Sequence, residues 1–182
     1  MRIGTTRTLV TLALLCAMQI VLARFCVIWI TNSIRVSFEA IPILVAGLLF
    51  GPVAGALTGA VSDILGSAFL SGFGWMPQLT LTPLLLGLLP GLLRRFLLQK
   101  PNLPRFFAVC APGFVLGSML WTTWWLSILY KNPLEVLLAA RVPLYCVIGV
   151  LDIVVVYLLY RTGAFQRIGI WPTLPRKEGS LL

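Results

Sequence analysis

Apolar residues run along the chain in six stretches that are separated by short polar connections. The stretches cover roughly residues 9–30, 40–50, 53–70, 79–98, 106–129 and 137–160. Four of them reach the ~20 residues that a helix needs to cross the hydrocarbon core of a bilayer, and the third is slightly short. The second would form only about 17 Å of helix. The pattern therefore predicts an all-α integral membrane protein, a six-helix bundle with a short second helix.

The connection between the second and third stretches decides between six segments and five. A single span over residues 40–70 would be about 45 Å long, which exceeds the ~30 Å hydrocarbon core. Gly51-Pro52 favours a break, because proline lacks a donor and restricts the residue before it. Loop charge does not separate the two topologies, since each places ten of the fourteen Lys and Arg inside. We favour six segments, with both termini cytoplasmic and outer loops near 31–39, 71–78 and 130–136.

Composition supports a membrane protein. Of the 182 residues 59% are hydrophobic and only 10% are charged, and the mean hydropathy is +1.00, whereas soluble domains carry about 25% charged residues. The net charge of +9 follows from positive residues that flank the apolar stretches, so no nucleic-acid partner is expected. The first stretch is too long for a cleaved signal sequence. We expect a membrane domain over 1–170, a flexible cytoplasmic tail over 171–182, and a prokaryotic inner-membrane location.

Several kinds of catalytic chemistry have no basis in this sequence. It contains no histidine and no CxxC pair among its four cysteines, which argues against a metal site. It also contains no GxxxxGK[ST] and no GxSxG motif, so neither a nucleotide-driven motor nor an evident nucleophile is present. We predict that the chain is not an enzyme and carries no cofactor or metal.

Charged residues inside or beside the apolar stretches are the strongest candidates for a site. Arg24 lies inside the first stretch near its outer end, Arg35 precedes the second, Asp63 lies late in the third and Arg141 lies early in the last. With six segments, all four approach the outer face. Such groups normally face the bundle interior or line a polar cavity, so they predict either a substrate cavity or structural ion pairs with snorkelling arginines. Asp152 lies deeper, and the sequence leaves its role open.

Aromatic and small residues add two weaker candidates. Phe38, Phe73 and Trp75 lie in or beside the outer loops, where they would form an interfacial belt or cover a flat ligand. Ala13 and Ala17 are four residues apart on the first helix. Small residues at this spacing allow close helix packing, either within the bundle or with another membrane subunit.

The segment ARFCVIWITNSIRVSFEAIPILVAGLLFGPVAGALTGAVSDILG, residues 23–66, carries a family resemblance. It contains an arginine that closes helix 1, an R-[IV]-x-F at 35–38, P-I-x-x-A-G-x-L-F-G-P at 42–52 and G-A-x-x-D-x-x-G at 59–66. In this it resembles the substrate-binding S components of energy-coupling-factor (ECF) vitamin transporters, and in R-[IV]-x-F their folate-specific branch. The similarity is loose after residue 66.

The resemblance implies a six-helix domain that binds a vitamin from outside, with outer loops closing over it. Its partners would be a transmembrane T subunit, docked through Ala13 and Ala17, and two cytoplasmic ATPases. For folate, Arg24 and Arg35 would hold the tail carboxylates, Asp63 would accept from the pterin edge, and aromatic rings would stack on the pterin. The expected substrate contacts are Arg24, Arg35, Phe38, Asp63, Phe73, Trp75 and Arg141.

Two further hypotheses remain open at this stage. A sister specificity, such as a queuosine precursor, thiamine or pantothenate, would fit the same fold. A scaffold subunit of an envelope or cell-shape complex would have a similar size and helix count, although it would not need paired arginines under aromatic side chains.

Overall fold

The computed structural model describes residues 6–31, 34–70, 76–97, 102–131 and 133–162. These residues form six helical segments, which confirms the predicted six-helix bundle with a short second helix. The segments are α1 (Thr6–Arg24), α2 (Ala40–Phe50), α3 (Pro52–Leu70), α4 (Pro77–Leu97), a fifth segment made of α5 (Leu103–Gly113), a π-helix (Phe114–Trp121) and α6 (Thr122–Tyr130), and α7 (Leu134–Arg161). Four of the described helical stretches are long and apolar enough to cross a membrane: Thr6–Arg24, Pro52–Leu70, Leu103–Leu129 and Leu134–Arg161.

The connection between α1 and α2 is a β-hairpin, where the sequence predicted the end of a long apolar stretch followed by a loop. Its strands are β1 (Ile28–Thr31) and β2 (Ile34–Val36), which pair antiparallel with Ile28 opposite Val36. β-branched and aromatic residues dominate both strands, and these residue types favour strand over helix. We call the end of the bundle that carries this hairpin the hairpin end.

The break between α2 and α3 lies where the sequence predicted it. Gly51 has φ 106°, a conformation that residues with a Cβ rarely adopt, and Pro52 begins α3. Arg94 of α4 donates a hydrogen bond to the carbonyl of Leu48. The bond gives a partner to one of the carbonyl groups that have none within the helix at the end of α2. The two helices are therefore separate segments joined by a tight turn.

The short helix α2 lies inside the bundle and is almost entirely buried. All of its residues except Ile41 are buried, and it packs on α1, α3, α4 and α7. At 1.5 Å per residue α2 is about 17 Å long, or about half of the ~30 Å hydrocarbon core. The surrounding helices continue past its first residue toward the hairpin end.

Glycines bring α2, α3 and α4 into backbone contact. A Cβ on Gly47 or Gly55 would collide with the carbonyl of Gly87, and a Cβ on Gly59 would collide with the carbonyl of Pro83. Close approach through small residues is the usual way in which membrane helices pack. These glycines serve packing within the bundle itself.

Candidate functional site

Buried polar side chains concentrate on the hairpin side of the bundle, where α2 does not reach. Each of the other five helical segments contributes at least one of them in its hairpin half. They are Gln19 of α1, Ser62 and Ser67 of α3, Thr80 of α4, Ser118 and Thr123 of the fifth segment, and Arg141 of α7. Buried polar groups in a membrane protein normally face the interior or a cavity, so this half of the bundle is where a polar guest would be bound.

Asp63 and Thr80 form the first element of the site. Asp63 lies on α3, about 10 Å from its end at Leu70, and Thr80 lies in the first turn of α4. The Thr80 hydroxyl donates to Oδ2 of Asp63 at 2.7 Å, and Thr80 is only 7% exposed. This bond fixes the orientation of the carboxylate. Asp63 was predicted from the sequence but Thr80 was not, because nothing in the sequence of α4 shows that this threonine faces α3.

Arg24 reaches the same face of α3. Its Nε and Nη2 atoms lie 3.3 and 3.6 Å from the point that a Cβ on Gly66 would occupy. Gly66 follows Asp63 by three residues, a spacing that places both on one side of a helix about one turn apart. The absence of a side chain at Gly66 makes room for the guanidinium. Arg24 and Asp63 are thus brought together although they are 39 residues apart in the chain.

Arg141 lies on a different wall of the bundle. It is 2% exposed and about 10 Å from the start of α7. Its Nη2 donates to the Tyr145 hydroxyl at 3.0 Å, and its Cζ lies 4.8 Å from the centroid of the Tyr145 ring. Tyr145 was not predicted from the sequence, although an Arg and a Tyr four residues apart on a helix are expected to be neighbours on its surface.

The remaining predicted contacts lie in the hairpin and the following loops. Arg35 is part of β2 and pairs with Trp29 of β1, and its side chain lies outside what the structure describes. Phe38 precedes α2, is 38% exposed, and accepts a hydrogen bond at its carbonyl from the N–H of Ile41. The predicted contacts Phe73 and Trp75 lie outside the described residues, as does the predicted tail over 171–182.

Ala13 and Ala17 are exposed on α1. The helix packs mainly on α3 and α2, and its other face presents apolar side chains such as Leu14 and Met18. The small pair therefore does not serve packing within the described bundle, which leaves contact with another membrane subunit as the prediction for these residues.

The π-helix is hydrogen-bonded to α4. The N–H of Thr122 bonds to the carbonyl of Gly117, and the Thr82 hydroxyl donates to the same carbonyl at 3.3 Å and lies 2.5 Å from the Thr122 hydroxyl. The segment follows Pro112, which cannot supply a hydrogen bond to the preceding turn. π-helical turns are frequent at functional sites, and this one was not predicted from the sequence.

Three tryptophans lie at the end of the π-helix and in the first turn of α6, in the hairpin half of the fifth segment. The rings of Trp121, Trp124 and Trp125 contact one another with centroids 5.6–6.1 Å apart, and Trp121 Nε1 donates to the carbonyl of Gln78 at 2.8 Å. Beside them is an apolar groove of about 500 Å³, lined by Leu85, Leu116, Leu120, Trp121, Trp124, Leu134 and Leu138. None of the predicted substrate contacts lines this groove.

Asp152 is a separate feature from the group around Asp63. It is fully buried on α7, and within the described part of the chain neither carboxylate oxygen has a hydrogen-bond partner. Glu39 is a second acid, directly before α2, and α2 packs on α7. Among the described residues no three metal-binding side chains come together, so these two acids do not form a metal site there.

Comparison with known proteins identifies relatives along nearly the whole chain. The family of S components of ECF-type riboflavin transporters matches residues 3–164. The folate transporter FolT of Clostridium novyi (strain NT) is 28% identical over 170 residues, which cover 93% of this chain and 91% of the relative.

Two solved structures share the fold. The crystal structure of FolT bound with folic acid has a TM-score of 0.76 at 24% identity and covers 87% of this chain and 95% of its own. The S component for biotin of an ECF-type ABC transporter has a TM-score of 0.63 at 20% identity and covers 88% and 94%.

Proposed function

The chain belongs to the family of ECF-type transporter S components, and we propose that it captures folate for import. Membership of this family confirms the resemblance seen in residues 23–66, identifies a multi-pass membrane transporter component, and excludes an enzyme. Folate is supported by the relative FolT, whose similarity extends over 93% of this chain. Riboflavin is a second candidate, because the matching family is described by that vitamin.

The juxtaposition of Asp63, Thr80 and Arg24 carries the proposal. The pterin ring of folate presents a 2-amino group beside a ring N–H, and a carboxylate accepts two such adjacent donors. Thr80 holds Oδ2 of Asp63 at 2.7 Å, which would keep the carboxylate oriented toward that edge. Hydrogen bonds to a charged acceptor are the strong ones, so Asp63 would provide much of the recognition of the ring.

Arg24 supplies donors on the same wall. Its guanidinium lies on Gly66, one helical turn from Asp63. Folate carries its ring and its two carboxylates at opposite ends of a long molecule. Two side chains one turn apart cannot each hold one end of an extended folate. We therefore assign Arg24, together with Asp63, to the ring, whose carbonyl and ring nitrogens accept hydrogen bonds.

The two carboxylates of folate would then be bound by cations other than Arg24, and two arginines are candidates. Arg35 is on the hairpin, and Arg141 is buried on α7. Arginine suits this role because its planar fork binds a carboxylate through two hydrogen bonds. Phe38, Phe73 and Trp75 would cover the flat rings, which prefer stacked or edge contacts with aromatic side chains.

For import, the hairpin end would face the outside and both termini the cytoplasm. The chain would act in a prokaryotic inner membrane with a transmembrane T subunit and two cytoplasmic ATPases. Ala13 and Ala17, exposed on α1, would contact the T subunit, since small residues permit close helix approach. Energy would come from the ATPases, because this chain has no nucleotide-binding loop.

Titration of the purified protein with vitamins tests the substrate. We expect folate to quench the tryptophan fluorescence with nanomolar affinity and riboflavin to bind at least about a hundredfold more weakly, a difference of about 2.7 kcal/mol. Riboflavin lacks the carboxylates that the arginines would hold. Tight riboflavin binding without folate binding would overturn the proposal in favour of the second candidate, and no response to any vitamin would favour a scaffold subunit.

Enlarging Gly66 tests the position of Arg24. Gly66→Leu is expected to push the guanidinium off α3 and to weaken folate binding about tenfold, or about 1.4 kcal/mol. Ala68→Leu is the matched control, because Ala68 is exposed two residues away on the same helix, and it should leave affinity unchanged. Equal folate affinities of the two variants, measured by the same titration, would show that Arg24 does not act from this position.

A further inference from the structure

Arg141 and Tyr145 form an oriented pair one turn apart on α7. The guanidinium donates to the Tyr145 hydroxyl at 3.0 Å and lies over the ring with Cζ 4.8 Å from the centroid. A tyrosine that meets a guanidinium through both its ring and its hydroxyl restricts the rotamers of the long arginine side chain. Neither contact changes the charge of the arginine, so the pair presents a positive group in a fixed direction.

The pair lies on a different helix from the Asp63 group. Both Arg141 and Asp63 lie about 10 Å from the hairpin end of their helices. α3 packs on α1, α2 and α4, whereas α7 packs on α2 and the fifth segment. Because α2 lies between α3 and α7 and is too short to fill the hairpin half, the two groups border that half from separate walls.

From this arrangement we propose that Tyr145 is a positioning residue, which holds Arg141 as the cation that receives the carboxylate end of the substrate. The inference rests on the proposed folate function and adds a division of labour to it: α1, α3 and α4 bind the ring, and α7 binds the anionic tail. Arg141 is nearly fully buried, and ionisable groups within membrane helices normally face the bundle interior or a polar cavity and mark the path of a substrate.

If α7 binds only the anionic tail, Tyr145 should affect the affinity only of ligands that carry a carboxylate. Folate carries both the pterin and the carboxylates, whereas 6-hydroxymethylpterin carries the ring without any carboxylate. Loss of the Tyr145 hydroxyl should weaken the binding of folate and leave that of 6-hydroxymethylpterin unchanged. A purely structural role of Tyr145 would affect both ligands, because the two share the ring site.

The experiment compares three variants of the full-length purified protein by fluorescence titration with both ligands. Tyr145→Phe, which keeps the ring and loses the hydroxyl, should weaken folate binding about tenfold, as expected for one hydrogen bond to a charged group. Tyr145→Leu, which loses both contacts, should weaken it further. Both should leave 6-hydroxymethylpterin affinity within about twofold. Tyr157→Phe is the matched control, since Tyr157 lies on the same helix and packs edge-on against Phe106.

A double-mutant cycle with Arg141→Lys separates positioning from a direct contact. If Tyr145 acts through Arg141, Tyr145→Phe should cost little more in the Arg141→Lys background, because the planar fork is already absent. Full additivity, an unchanged folate affinity of Tyr145→Phe, or an equal loss for both ligands would overturn the inference while leaving folate binding intact. Failure of the unaltered chain to bind folate would overturn the proposed function together with it.

Discussion

Replacing Asp63 with asparagine is expected to weaken folate binding by about a hundredfold, or about 2.7 kcal/mol. The carboxylate can accept both donors of the pterin edge, whereas an asparagine amide offers one acceptor and turns a donor toward the other. One donor of the pterin edge would then face the N–H of the amide and lose its hydrogen bond. Binding would also cost the desolvation of that unpaired donor. Fluorescence titration with folate measures the effect directly.

Two further variants give this prediction its controls. Thr80→Val removes the hydroxyl that holds Oδ2 and should cost less than Asp63→Asn, about tenfold, because the carboxylate itself remains. Asp152→Asn makes the same chemical change at a buried acid of α7 that is not among the proposed substrate contacts, and it should leave folate affinity within about twofold. If Asp63→Asn and Asp152→Asn had the same effect, Asp63 would not be the acceptor of the ring.

Replacing Gly87 with valine is expected to destabilise the bundle by about 3 kcal/mol or more, the upper range for overpacked positions. A Cβ on Gly87 would meet the carbonyl of Gly55 and the N–H of Ala56, and backbone atoms cannot rotate away as a side chain can. Relief requires α3 and α4 to separate, which would also loosen their contacts with α2. Thermal unfolding in detergent, followed by intrinsic fluorescence, measures the loss.

Gly113→Ala is the matched control for Gly87. A Cβ on Gly113 would lie 3.4 Å or more from its neighbours on Leu85 and Leu86, which is ordinary van der Waals distance, and alanine favours helix over glycine. We expect the melting temperature of this variant to equal or exceed that of the unaltered chain. An unaltered melting temperature in Gly87→Val would contradict the close packing of α3 and α4.

The local features of the fold could be predicted from the sequence because each has a local cause. The apolar stretches give the helices, and Gly51-Pro52 ends α2 because glycine adopts a positive φ and proline starts the next helix. The hairpin was missed because its strand residues are as apolar as a membrane helix, and hydrophobicity alone does not distinguish the two.

The candidate site could be predicted only in part. Arg24 and Asp63 stand out because charged residues are rare in membrane segments, but their meeting on one face of α3 depends on how α1 packs against Gly66. The role of Thr80 is visible only once α3 packs against α4, because its bond to Asp63 is a tertiary contact that composition and spacing do not encode. Tyr145 differs, since it follows Arg141 by four residues on the same helix and that spacing is present in the sequence.

The shortness of α2 has an electrostatic consequence. A helix carries partial positive charge at its first residues and partial negative charge at its last, and a low-dielectric surrounding strengthens both. Ala40, the first residue of α2, is buried in the bundle. The chain supplies the opposite charges itself, with the acid Glu39 directly before α2 and the guanidinium of Arg94 on the Leu48 carbonyl at its other end. A half-length helix in a membrane thus carries its own counterions.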